Sequence, residues 1–136
     1  MCKKISHYSV YAGRILLGGY FALAGLNKVM DPTGTAGMIE SVGLPMGVAL
    51  AYFTGILLLA LGAMLIAGCY AKYAAAGLLA FTLLVSFLYH GPGLWGDMIQ
   101  QLFFMKNMAI AGGLFYIFGN EDCCPKKSTG GDPASE

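Results

Sequence analysis

The chain has 136 residues, 57% of them hydrophobic and 11% charged, with a net charge of +1. Soluble domains carry roughly 25% charged residues, and a small chain has too much surface to leave so little of it polar. A soluble single domain, a disordered chain and a disulfide-stapled one are excluded, and the charge leaves no basic field for nucleic acid.

Four stretches are apolar over the about 20 residues that a membrane-crossing helix needs: 8–29, 46–68, 71–89 and 98–119. Runs such as Ile56 to Leu61 and Leu78 to Val85 lack the alternation of a transmembrane barrel. The expected fold is all-α, an integral membrane antiparallel four-helix bundle over residues 1–119. Along the first helix Arg14, Gly18, Phe21 or Ala22, Gly25 and Lys28 recur at steps of three and four. Small residues let helices approach closely, so Gly18 and Gly25 should face the bundle. Arg14 has no acidic neighbour in sequence and is expected to be a structural anchor with a partner elsewhere. Asp31-Pro32 ends this helix, because proline lacks an N–H and restricts the residue before it. Residues 33–42 suit a short interfacial helical turn before Gly43-Leu44-Pro45.

Gly68-Cys69-Tyr70 is short enough to make the second and third spans a hairpin. His90 closes the third span and reads as a polar cap at the interface. Gly91 to Gly96 is a turn-rich loop carrying Trp95. In the fourth span Lys106 follows Asp97 by nine residues, about 13 Å along a helix. A charge at that depth is costly, so Lys106 must find an acceptor such as Tyr52 or a carbonyl, meet water, or lose its proton. Lys28, Lys106 and Asn107 form the expected ligand set, for a quinone-like headgroup or a small oxyanion. Arg14 lies about 21 Å along the helix from Lys28 and cannot share that pocket.

Residues 120–136 turn polar, without apolar periodicity, and are expected to be a disordered cytoplasmic tail. Lys3, Lys4, Lys72, Lys126 and Lys127 flank one side of the spans, against Lys28 alone on the other. Both termini are therefore expected in the cytoplasm. Lys3-Lys4 with Ala22-Leu23-Ala24 imitates a cleavable signal peptide, but Arg14 interrupts its order. Cys2, Cys69, Cys123 and Cys124 all fall at cytoplasmic ends, where reducing conditions disfavour disulfides, and none has metal-ligand spacing. Cys123-Cys124 reads as two tail thiols, with a labile vicinal disulfide as the alternative.

Gly13-Arg14-Ile15-Leu16-Leu17-Gly18 with Phe21 to Lys28 resembles the opening of the DoxX family. Gly43-Leu44-Pro45, Tyr89-His90 and Phe104 to Leu114 resemble its later segments, in order and spacing, from about residue 10 to 118. The resemblance implies a bacterial four-helix inner-membrane protein. Some such relatives are subunits of a thiosulfate-oxidising, quinone-reducing complex, and others are linked to oxidative stress beside partner enzymes. Two departures stand out: the family's frequent helix-two glutamate is Leu58 here, and its usual loop arginine is Lys72.

Three functions compete. A non-catalytic or quinone-interacting subunit of a membrane redox complex rests on the resemblance and on the buried cations. A structural or assembly protein of the inner membrane needs only packing. A small carrier is suggested by Lys106 and the glycines of the first helix, without broken helices or repeats to support it. No cofactor motif is evident; a quinone is the candidate. Expected partners are the lipid bilayer and other membrane or redox subunits, or further copies of the chain.

Overall fold

In the computed structural model the described residues are 2–90 and 96–121, with side chains from residue 7 onward. Among these residues five helices follow one another: α1 (Cys2–Met30), α2 (Pro32–Ser41), α3 (Gly47–Ala67), α4 (Ala71–His90) and α5 (Met98–Asn120). Four of them are long and apolar enough to cross a membrane: α1 from His7, α3, α4 and α5. Short connections between consecutive spans, Gly68 to Tyr70 above all, make the bundle antiparallel. Trp95, and residues 122–136 with Cys123-Cys124, lie outside the described residues.

Breaks between helices follow local chemistry. Pro32 opens α2 at its first turn, where its missing N–H costs nothing. The Thr33 hydroxyl donates to the Asp31 carboxylate at 2.5 Å and holds that group below the usual carboxylate range. Gly68 takes φ 78° after α3, a left-handed conformation that suits glycine, and its N–H donates to Met64 O at 2.9 Å. The interfacial turn expected after Pro32 is a full ten-residue helix, with Ala36 and Ile39 buried.

In cyclic order α1 packs on α3, α3 on α4 and α4 on α5, while α1 and α5 meet only lightly. Lipid tails are as apolar as leucine, so burial alone does not hold such helices together; close contact does. The α1–α3 seam is made of glycines. A Cβ on Gly18 would lie 2.8 Å from Gly62 O, and one on Gly25 would lie 2.6 Å from Gly55 O. Leu58, Leu65, Leu78 and Leu114 fill the interior where α3, α4 and α5 converge. α2 lies over the start of α3, close enough that a Cβ on Gly47 would meet Ala36 O at 2.7 Å.

Arg14 finds its partners at the end of the bundle nearest the termini. Its Nε donates to Leu65 O and its Nη1 to Glu121 Oε1, each at 3.1 Å. The start of the expected tail is thereby engaged: Asn120 closes α5 and Glu121 is held by the guanidinium.

Candidate functional site

A cavity of about 360 Å³ lies in the half of the bundle away from the termini. Five helices contribute to it because that half contains the end of α1, all of α2, the start of α3, the end of α4 and the start of α5. From α1 come Tyr20, Phe21, Ala24 and Lys28, which share one face at helical spacing. Thr35 and Met38 of α2 cover the end. Thr54 and Leu58 of α3, with Phe81, Thr82 and Val85 of α4, form the floor. Tyr89 and His90 finish α4, and Phe103, Lys106, Asn107 and Ile110 stand on α5.

Lys28, Lys106 and Asn107, the set expected from the sequence, thus line one cavity. His90, expected as a polar cap, ends α4 and faces the same space. Its Nδ1 lies 2.5 Å from Gln100 Oε1, and its ring stacks on Phe103 with centroids 5.4 Å apart. Arg14, Gly18 and Gly25 lie outside the cavity, in the packing positions described above. Tyr52 is exposed and does not line it. The ring beside Lys106 is Tyr20 instead: the ammonium lies 5.8 Å from that centroid and 4.8 Å from the Phe103 centroid. Helix side chains lean toward their N-terminus, which carries the Lys106 ammonium toward Phe103 and Lys28.

The electrostatics are one-sided. Among the described residues two lysines line the cavity and no carboxylate does. Leu58, on the floor, is fully buried and apolar. The Thr82 hydroxyl donates to Leu78 O at 2.7 Å, and that of Thr54 to Leu50 O at 2.9 Å. Those hydrogens are spent within their own helices. Donors left to meet a bound molecule include the two ammonium groups, the Asn107 amide and the hydroxyls of Tyr20, Tyr89 and Thr35. Ring faces offset a cation only in part, by about 0.5–2 kcal/mol. An oxygen acceptor placed between Lys28 and Lys106 would complete the compensation. Among the described residues no group of three His, Cys, Asp or Glu side chains is placed to hold a metal ion.

Tyr20 was not singled out in the sequence, and Gln100 stood out only as one polar residue on the face of the fourth span that carries Asn107. Tyr20 sits four residues before Ala24 and eight before Lys28, on the same helix face. His90 and Gln100 flank one short connection between antiparallel helices, a spacing that brings polar side chains opposite each other.

Four membrane-length helices around a cation-lined cavity define a polytopic integral membrane protein. The chain belongs to the DoxX family, which it matches over residues 9–91. It is similar to the inner membrane protein YqjF of Escherichia coli strain K12, at 32% identity over 120 residues covering 85% of each chain. No solved structure matches it. The family match spans α1 to α4, and the α5 residues Lys106 and Asn107 lie beyond it.

Proposed function

We propose that this protein is an inner-membrane subunit of a redox complex that holds a quinone-like headgroup or a small oxyanion between Lys28, Lys106 and Asn107. One observation carries the reading: donors from α1 and α5 converge on a cavity that, among the described residues, no carboxylate lines. Ammonium groups so placed orient a carbonyl or anionic oxygen and favour negative charge on it. Redox chemistry itself belongs to partner subunits, and this chain supplies binding and polarisation.

The test uses protein in lipid nanodiscs, titrated calorimetrically with 2,3-dimethoxy-5-methyl-1,4-benzoquinone and, separately, with thiosulfate. A hydrogen bond from a charged donor contributes about 1.5–3 kcal/mol. Lys106→Met is thus expected to weaken binding by roughly 10- to 100-fold, at 1.4 kcal/mol per decade, with the melting temperature unchanged. Undiminished binding in Lys106→Met, or no binding of either compound by the wild type, removes the site and leaves the assembly role.

The same reading places both termini in the cytoplasm, from the lysines flanking that side. Cys69 is exposed in the α3–α4 link, at the termini end. With Cys2, Cys123 and Cys124 replaced by serine, it is expected to resist a membrane-impermeant maleimide in intact cells. Ser41→Cys, on exposed α2 with Cys69 also replaced, should label readily. The reverse pattern would invert the topology.

A further inference from the structure

The cavity is walled on three sides and thin on the fourth. Its buried lining includes Phe21, Leu58 and Thr82, from α1, α3 and α4. Apart from Met38 of α2, at the aqueous end, its exposed lining is Tyr20, Phe103 and Lys106, on α1 and α5. These are the two helices that meet only lightly. Toward the termini the pair is closed: a Cβ on Gly113 would touch Leu17 Cδ1 at 3.2 Å, and Arg14 binds Glu121. The seam is therefore shut at one end and open beside the cavity. Tyr20, Phe103 and Lys106 all lie within the membrane-length stretches His7–Met30 and Met98–Asn120. The medium outside the opening is lipid.

We propose, building on the binding role above, that the cavity fills from the bilayer through the opening between α1 and α5. Its occupant is a single-tailed amphiphile. The oxygen-bearing head lies among Lys28, Lys106 and Asn107, and the tail leaves between Tyr20 and Phe103. Charge is the first argument, since two lysines with no carboxylate among the described lining residues call for an electron-rich head. The second is the position of Lys106: its ammonium rests on two rings at a lipid-facing opening, and hydrocarbon offers it nothing further. Size is the third. About 360 Å³ stands at the small end of ligand pockets, enough for a head but not for a head with a long tail. The aqueous end, by contrast, is covered by Thr35 and Met38 of α2. A membrane-dissolved molecule needs no passage past them.

The probe is a long-chain fatty acid carrying a diazirine at mid-chain, photolysed in nanodiscs containing the full chain, with labelled peptides mapped by mass spectrometry. Ammonium groups bind a carboxylate at least as well as a carbonyl, so this probe reports on either kind of head. Saturable labelling is expected near Tyr20 and Phe103, at least fivefold above that at the exposed Phe53 and Leu84 on the outer faces of α3 and α4. Lys106→Met should cut the seam labelling at least tenfold and leave the outer-face labelling alone. Decylubiquinone and its tail-less benzoquinone, compared at equal concentration in the bilayer, then identify the head. Competition by the tailed quinone shows that a carbonyl head is accepted, and failure of both shows that the carboxylate is preferred. Uniform, unsaturable labelling overturns the lateral route, as does equal competition by the tail-less quinone. Calorimetric binding of the tail-less compounds would still stand in that event, so the route and the site fail separately.

Discussion

Gly25→Ala is expected to lower the thermal unfolding midpoint of the purified protein by roughly 5–15 °C, while Gly19→Ala leaves it nearly unchanged. The two substitutions add the same methyl group to the same helix. At Gly19 the new Cβ meets nothing within 4 Å, whereas at Gly25 it lies 2.6 Å from Gly55 O and 2.7 Å from Leu59 N. Both obstacles are backbone atoms of α3, so no side-chain rotation relieves them and the helices must separate. Overpacking of this kind costs about 1–3 kcal/mol, and more where a whole interface has to shift. For a chain of this size each kcal/mol is worth about 3–5 °C. Separation at Gly25 also loosens Gly18 from Gly62, because one seam holds both contacts. Melting curves from size-exclusion after heating would decide the matter. Equal midpoints for the two variants would mean that the glycine seam is not what joins α1 to α3.

That seam shows how far the sequence could be read. Gly18 and Gly25 were legible because they share a stripe with charged residues at both ends, which gave α1 an orientation. Their counterparts Gly55 and Gly62 were not, since α3 is apolar on every side and offers no polar contrast to say which face turns inward. Lys28, Lys106 and Asn107 stood out for a different reason: polar groups at membrane depth are costly wherever they point. What surrounds them depended on the cyclic order of the helices, which spacing alone does not encode. Tyr52, on α3, was the expected neighbour of Lys106, but α5 faces α1 across the opening and Tyr20 takes that place. His90 read as a cap because its partner Gln100 belongs to another helix. Span limits, by contrast, were legible to within a few residues, since each ends where Asp-Pro, Gly or a polar run stops an apolar stretch.

The partner of Arg14 was hidden in the segment that composition assigned to the tail, and its removal is the second large effect expected. Arg14 is 8% exposed and does three things at once. Its Nε donates to Leu65 O, one of the carbonyls that α3 leaves without a helical partner at its C-terminal end. Its Nη1 binds Glu121 at the end of α5. Its guanidinium also packs against Gly68, leaving no room for a Cβ there, and lies 5.3 Å from the Tyr11 ring centroid. Arg14→Met keeps the length and apolar stem but loses both donors, which leaves a carbonyl and a mostly buried carboxylate unmatched. Removing one member of a buried pair costs about 3–5 kcal/mol; with side-chain exposures of 10% and 18% some solvent screening remains, so about 2–4 kcal/mol is expected. Glu121→Gln should cost less, because the amide oxygen still accepts from Nη1. The ion pair also ties α1 to α5 at the closed end of their seam, opposite the cavity. Arg14→Met should therefore reduce folded yield and melting temperature, while protein that does fold keeps its affinity for the benzoquinone or oxyanion. Lys106→Met should show the opposite pattern, with stability kept and affinity lost. If Arg14→Met instead weakens binding and leaves the melting temperature in place, the guanidinium belongs to the binding machinery and its assignment as an anchor is wrong.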